Sequence, residues 1–496
     1  MAMLTVADIQ IQGALAVDML LEFSLSAKVN EHVRLRYAGE ISAETGAKIL
    51  EKVNRQDLVT VMLCGEVAFV GQPVSIAVSE KNSFFTLTVE CNSTSYLMDV
   101  EEHCRSFQQP DMTYAEVVRA ICSKSEDQSV ITVQDQHVSI GRPIIQYKET
   151  DWQFILRMAS HLETLVVPNP RSASSQIAFG APKGKHYAID ATGCRVGRFR
   201  KKCNDGEWRD FLNYTFEHET YFDLGDTVSF SGREWLVVEQ SVALIGGLLH
   251  NTCTLGEEQA YALRRLYPDK LCGLSLLGTV IDTNDENVRL HLDIDQSQEK
   301  EKAFWFPFAP QQGTVMYCMP QIGAKAMLSI NSRDEGNCVV EHCYRTNGQD
   351  CADMNDHNHR YFTTEFGKRM AMLPGLASFD AGGSEVSLRD DVGIGVSTGK
   401  TMQMYAQGQI RFGAHGRVLF QTPEQLMLAK TGQESGIEVS GGQLHTRSKK
   451  VYVKGDADKQ APPLRESGQK NVKMPLDLAL TLSAFTPIVL DTKNLK

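Results

Sequence analysis

The chain has 496 residues, 42% hydrophobic and 22% charged, with 50 Lys and Arg against 61 Asp and Glu. That composition can fill cores, excludes a wholly disordered chain, and at this length predicts about three domains. A formal charge of −11 argues against nucleic acid as a main partner, because neutralising phosphates takes a basic surplus.

The first residues, Met1-Ala-Met-Leu-Thr-Val-Ala-Asp8, lack a basic segment followed by an apolar core. No secretory signal is expected, and the expected place of synthesis and assembly is the cytoplasm. No apolar run approaches the ~20 residues that span a bilayer. Twelve cysteines are scattered along the chain. They read as reduced, mostly buried thiols rather than a disulfide framework.

Short β-prone runs open the chain: Leu58–Leu63, Val74–Val78 and Phe84–Val89. Their period-two alternation predicts half-buried antiparallel strands. A helix is predicted over 42–53, started by Ser42. Further on, Met112–Cys122 predicts a helix capped by Thr113, with Glu116 closing a capping box. Another starts at Thr150 or Asp151 and places Trp152, Ile155, Leu156 and Ala159 on one face.

Strands return over 177–255, with a hairpin over Asp226–Val238 turned at Ser231-Gly232. A connector over 262–270 follows. Five strands are then predicted within about 75 residues, at 278–282, 288–293, 304–308, 325–330 and 338–341. Their number and span suit a small barrel of the OB type.

The strongest internal signal is an eight-residue repeat. Val386, Ile394, Met402, Ile410, Val418 and Leu426 form one series. Leu388, Val396, Met404, Phe412, Phe420 and Leu428 form a second, two residues later. All twelve positions are apolar, against 42% overall. Positions i and i+2 share a strand face, so each repeat offers one apolar pair. At ~3.3 Å per residue, eight residues are too few for one chain to coil around its own core. Three chains can close a triangular prism with the pairs on its axis. The competing reading is an antiparallel meander of eight-residue spacing. Past Leu428 the phase slips by three, to Ile437 and Val439.

The order of these parts resembles the VgrG and phage late-control-D family, the spike and hub proteins of contractile injection systems and phage tails. The resemblance covers about residues 1–455. It is carried by Cys104–Glu116, Gln146–Ala159, Leu224–Val228 with Trp235–Glu239, Phe304–Phe308 and Cys318–Gly323. It implies a mainly β chain. A first hub β-barrel is expected over 1–100, an inserted α+β region over 101–175 and a second hub barrel over 176–265. An OB-fold module over 273–347, a linker over 348–384 and a trimeric triple-stranded β-helix over 385–455 complete it. A basic linker and apolar tail occupy 456–496.

The resemblance also implies partners. They are two further copies in a homotrimer, a hexameric tail tube protein matched by a pseudo-sixfold ring, and baseplate proteins. At the C-terminal end the alternatives are a PAAR-like tip protein and an effector cargo. The target membrane is contacted on firing, so the particle is delivered to a target envelope or to the outside. Alternative readings are a trimeric receptor-binding fibre or adhesin, and a solenoid enzyme acting on polysaccharide.

Other motifs carry little chemistry. Gly180-Ala-Pro-Lys-Gly-Lys185 is one residue short of a phosphate loop and continues with His186. Gly393–Gly399 lacks dinucleotide spacing. Cys338, His342, Cys343, Cys351, His357 and His359 lie within 22 residues, without a Cys-x-x-Cys pair. No metal or other cofactor is assigned there; His357 and His359 are the best ligand candidates. No nucleophile elbow and no His-Glu-x-x-His motif is present, and a lysozyme-sized domain does not fit into 348–385. Glu365 and Asp380 read as solvated charges, and no enzymatic activity is expected. The stretch 447–473 has eight Lys or Arg against three Asp or Glu, and Met474–Leu490 is apolar and β-prone.

Overall fold

The computed structural model describes residues 5–52, 57–81, 84–123, 128–132, 137–189, 193–309, 318–344, 351, 353, 355–430 and 435–450. The chain divides into two compact units between Thr346 and Asn347. The expected tail over 456–496 lies outside the described residues.

One sheet of twelve strands dominates the first unit. Along its main path the order is Ile9–Gln12, Val59–Leu63, Glu66–Lys81, Phe84–Ser93, Arg34–Ile41 and Met19–Lys28. It continues through Arg233–Ile245, Leu248–Gly256, Trp208–Glu217 and Arg195–Lys202. The parts expected as two separate barrels are therefore continuous. Met19–Lys28 joins them by pairing with Arg233–Ile245, with Lys28 opposite Glu239. Alternation drives the burial: Val59, Val61 and Leu63 point inward while Thr60 and Met62 are half-buried. They share a core with Phe23, Leu35, Tyr37, Phe69 and Leu87. Ser231 and Gly232 turn their hairpin with φ of 53° and 76°, the left-handed pair a tight two-residue hairpin requires. The early helix runs Ala43–Lys52, and the Ser42 hydroxyl accepts from the Thr45 amide.

Two helices build the inserted region. Tyr114–Cys122 carries the predicted capping box. The Thr113 amide donates to Glu116 at 2.7 Å, and the Glu116 amide donates to the Thr113 hydroxyl at 3.2 Å. Asp151–His161 starts at Thr150, whose hydroxyl accepts from the Gln153 amide. Its buried surface is wider than the one predicted face. Phe154, Arg157 and Met158 are buried along with Trp152, Ile155 and Ala159, and Leu156 is only half-buried. A helix enclosed on several sides loses the simple amphipathic pattern.

The five strands near residue 300 form one sheet in the order Trp305–Pro307, Asn287–Leu292, Leu274–Asn284, Lys325–Ile330, Cys338–Tyr344. A parallel bridge between Phe308 and Val340 ties its two ends together. Its core includes Val280, Leu290, Phe306 and Leu328, and also Ile145 of the inserted region. A buried charge triad crosses the same junction. The Arg157 guanidinium donates to Glu149 at 2.7 and 3.1 Å and to Glu335 at 3.0 Å. Glu335 also accepts from the Ile145 amide. Burial raises the pKa of the Glu335 carboxyl, opposed by Arg157 and that amide. An ion here survives burial because every side of it is met.

The second unit holds two antiparallel sheets. Five strands form a meander: Arg360–Thr363, Lys368–Leu373, Leu376–Ala381, Ser384–Arg389 and Gly393–Thr398. Three more follow at Gln425–Ala429, Gly436–Ser440 and Gln443–Arg447. The stretch 348–384 is thus not a plain linker, since three strands and the start of a fourth occupy it from Arg360 onward. Among the described residues, no helix is long and apolar enough to cross a membrane.

Candidate assembly surface

The octapeptide positions fall into three structurally distinct parts. In the first, Val386 lies opposite Val396, and Leu388 opposite Ile394. These two repeats form an antiparallel hairpin, as in the meander reading. Cross-strand partners share a sheet face, so all four side chains point the same way.

The second part spans 401–424. Among the described residues, none of its backbone groups pairs with another backbone group of the chain. Every residue from Thr401 to Gln425 is exposed. The backbone bends at Gly399-Lys400, Gln407-Gly408, His415-Gly416 and Pro423-Glu424, a spacing of eight. Met402, Met404, Ile410, Phe412, Val418 and Phe420 lie between the bends. Phe412 and Phe420, one repeat apart, meet edge-to-face with ring centroids 5.6 Å apart. The layers therefore stack along the chain, yet Phe412 remains 60% exposed.

In the third part the chain pairs with itself again. Leu426 lies opposite Val439 and Leu428 opposite Ile437. This explains the phase slip after Leu428: Ile437 and Val439 belong to a returning strand, so their register is set by the hairpin. Leu444 lies opposite Val439 and extends the face.

The apolar face is larger than the repeat. In the five-stranded sheet Phe362, Met370, Phe379, Val386 and Val396 form one cross-strand row. Met372, Ala377, Leu388 and Ile394 form the next, with Arg360 at its outer end. The opposite face carries Tyr361, Ala371, Ser378, Ser387 and Gly395 in one row, and Thr363, Arg369, Asp380, Glu385 and Ser397 in another. The apolar side is the open one: Phe379 is 56% exposed and Ile394 77%. The sequence signal for the upstream rows was the alternation within Lys368–Leu373 and Leu376–Ala381, which the eight-residue period does not extend to. Contiguous apolar surface next to unpaired backbone is a surface for association.

The remaining candidates form no such site. His357 and His359 lie 3.9 and 3.6 Å from the carboxylate of Asp356. That carboxylate is held below its usual range chiefly by the Asn358 amide. Among the described residues no group of three or more His, Cys, Asp or Glu is placed to hold a metal. Cys338 is buried, its thiol pushed up to about 12 by burial, whereas Cys343 is exposed. All twelve cysteines are free. In the Gly180–Lys185 loop the Lys185 amide donates to the Asp226 carboxylate at 2.7 Å. Gly393, at φ 94°, opens a strand. Asp380 sits on the polar sheet face between Arg369 and Glu385.

No protein-family model matches the chain, and no curated protein does. Three of the solved structures similar to the chain illustrate the likeness. The Escherichia coli c3393 protein is a component of the type VI secretion system, itself similar to the T4 tail proteins gp27 and gp5. It matches at 12% identity and TM-score 0.49, over 68% of this chain and 99% of its own. A chain of the half-lidded Francisella PdpA–VgrG complex matches at 7% identity and TM-score 0.49, over 78% of this chain and 87% of its own. A 43 kDa tail protein of prophage MuSo2 from Shewanella oneidensis matches at 11% identity and TM-score 0.39, over 52% of this chain and 99% of its own. Likeness at this level leaves function to be read from the molecule's own surface.

Proposed function

We propose that the chain is a structural spike and hub protein of a contractile injection apparatus, of the type VI, extracellular or phage-tail kind. It works as a homotrimer without catalytic turnover. The first unit meets a hexameric tail tube and the baseplate, using its continuous sheet and an OB-like module. The second unit forms the spike that is driven through a target envelope and helps deliver cargo.

The run 401–424 carries this reading. It has apolar pairs at a spacing of eight, bends at the same spacing, contact between successive layers, and no backbone partner among the described residues. Once its apolar pairs are buried against other copies, this backbone needs partner strands, because polar groups left unpaired away from water cost free energy. Strands from two further copies supply them, with Met402, Met404, Ile410, Phe412, Val418 and Phe420 turned to a common axis. Val386, Leu388, Ile394, Val396, Leu426 and Leu428 flank that run on the same axial side.

The test is the double variant F412D/F420D in the full chain. Six carboxylates would then meet on the axis of a trimer. The variant is expected to dissociate while keeping the fold of the first unit. A variant with unchanged mass would contradict the axial placement.

A further inference from the structure

We infer that self-association begins a full sheet upstream of the repeat: the face bearing Phe362, Met370, Met372 and Phe379 is covered by the same face of two further copies, as a collar at the start of the spike. This rests on the trimeric reading above and extends it to residues the eight-residue period does not mark.

The row from Phe362 through Met370, Phe379 and Val386 to Val396 crosses all five strands. Within those pairings no bulge shifts the register. Side chains in one cross-strand row point to one side of a sheet. Val386 and Val396 therefore cannot turn toward an axis without carrying Phe379, Met370 and Phe362 with them. A single-layer sheet must also bury one face to be stable. Here the small and polar face is the more buried one, with Ala371, Ser378 and Ser387 enclosed. The apolar face stays open, with Phe362, Met372 and Phe379 all exposed. Its occupant must be apolar and continuous with whatever covers Val386 and Val396. The matching face of another copy meets both conditions.

The experiment uses the full chain. Oligomer mass is followed by sedimentation over a dilution series, and the oxidation rates of Met370 and Met372 by peptide mass spectrometry. The wild type is expected to be a trimer in which Met372 oxidises much more slowly than in the unfolded chain. In F362D/F379D the half-dissociation concentration should rise by at least about tenfold, a hundredfold in the trimer's dissociation constant or about 2.8 kcal/mol per trimer, and Met372 should oxidise faster. Suppose F412D/F420D dissociates the trimer while F362D/F379D leaves mass, dilution behaviour and Met372 oxidation unchanged. The collar would then be wrong and the spike reading would stand. A wild type that stays monomeric at every concentration sinks both. Met372 protected within a monomer would assign the cover to the same chain and overturn the collar. The oxidation measurement on the wild type does not depend on any variant folding.

Discussion

Arg157 is the largest fully buried side chain, and it is charged. It holds Glu149 and Glu335 from two different parts of the first unit, so removing Glu335 leaves a buried guanidinium half-neutralised and the Ile145 amide without its acceptor. Glu335→Ala should destabilise the first unit by about 3 kcal/mol, read from urea unfolding. Glu335→Gln keeps an acceptor for the Ile145 amide and should cost less. Two partly buried histidines act in another way. Burial lowers His32 to about 4, with Asp99 partly opposing, and lowers His161 to about 3. Both take up protons more readily once unfolded, at the ordinary value of 6.5. Their contribution to stability is therefore complete above pH 6.5 and is lost as pH falls toward 4 and below. Each should contribute a slope of up to about 1.4 kcal/mol per pH unit in that window. Melting temperature should drop between pH 7 and pH 5, and His32→Gln should flatten the drop. A flat profile for the wild type would contradict the neutral, partly buried state of both rings.

Elements with local causes were readable from sequence. Thr113 and Glu116 announced their helix, and Thr113→Ala should cost about 1 kcal/mol, measurable by thermal unfolding. Ser231-Gly232 announced a hairpin. The five strands near residue 300 followed from alternation, although the Phe308–Val340 bridge closing them is a long-range contact no local pattern encodes. The join between Met19–Lys28 and Arg233–Ile245 was invisible for the same reason. The repeat was readable in its period and only partly in its pairing. Eight-residue spacing fits both a hairpin ladder and an unpaired stacked run, and the chain uses hairpins at each end and the stacked run between. The sheet over 360–381 escaped because its apolar residues follow period two across turns of unequal length, not period eight. His357, exposed, and His359, half-buried, sit beside one carboxylate.

At the scale of the molecule, one chain is an incomplete object. Its first unit has closed cores, whereas the second presents apolar rows, unpaired backbone and stacked layers that no other described residue covers. Association of three copies is the proposed resolution, and it suits the eight-residue layer. The proposed spike and hub role rests on that requirement. The most direct test is the native mass of the full-length protein, by sedimentation equilibrium or native mass spectrometry over a range of concentrations. The account predicts a species of three 55.1 kDa chains that persists on dilution and is lost in F412D/F420D. A protein that remains a monomer at the highest concentration reached would contradict it.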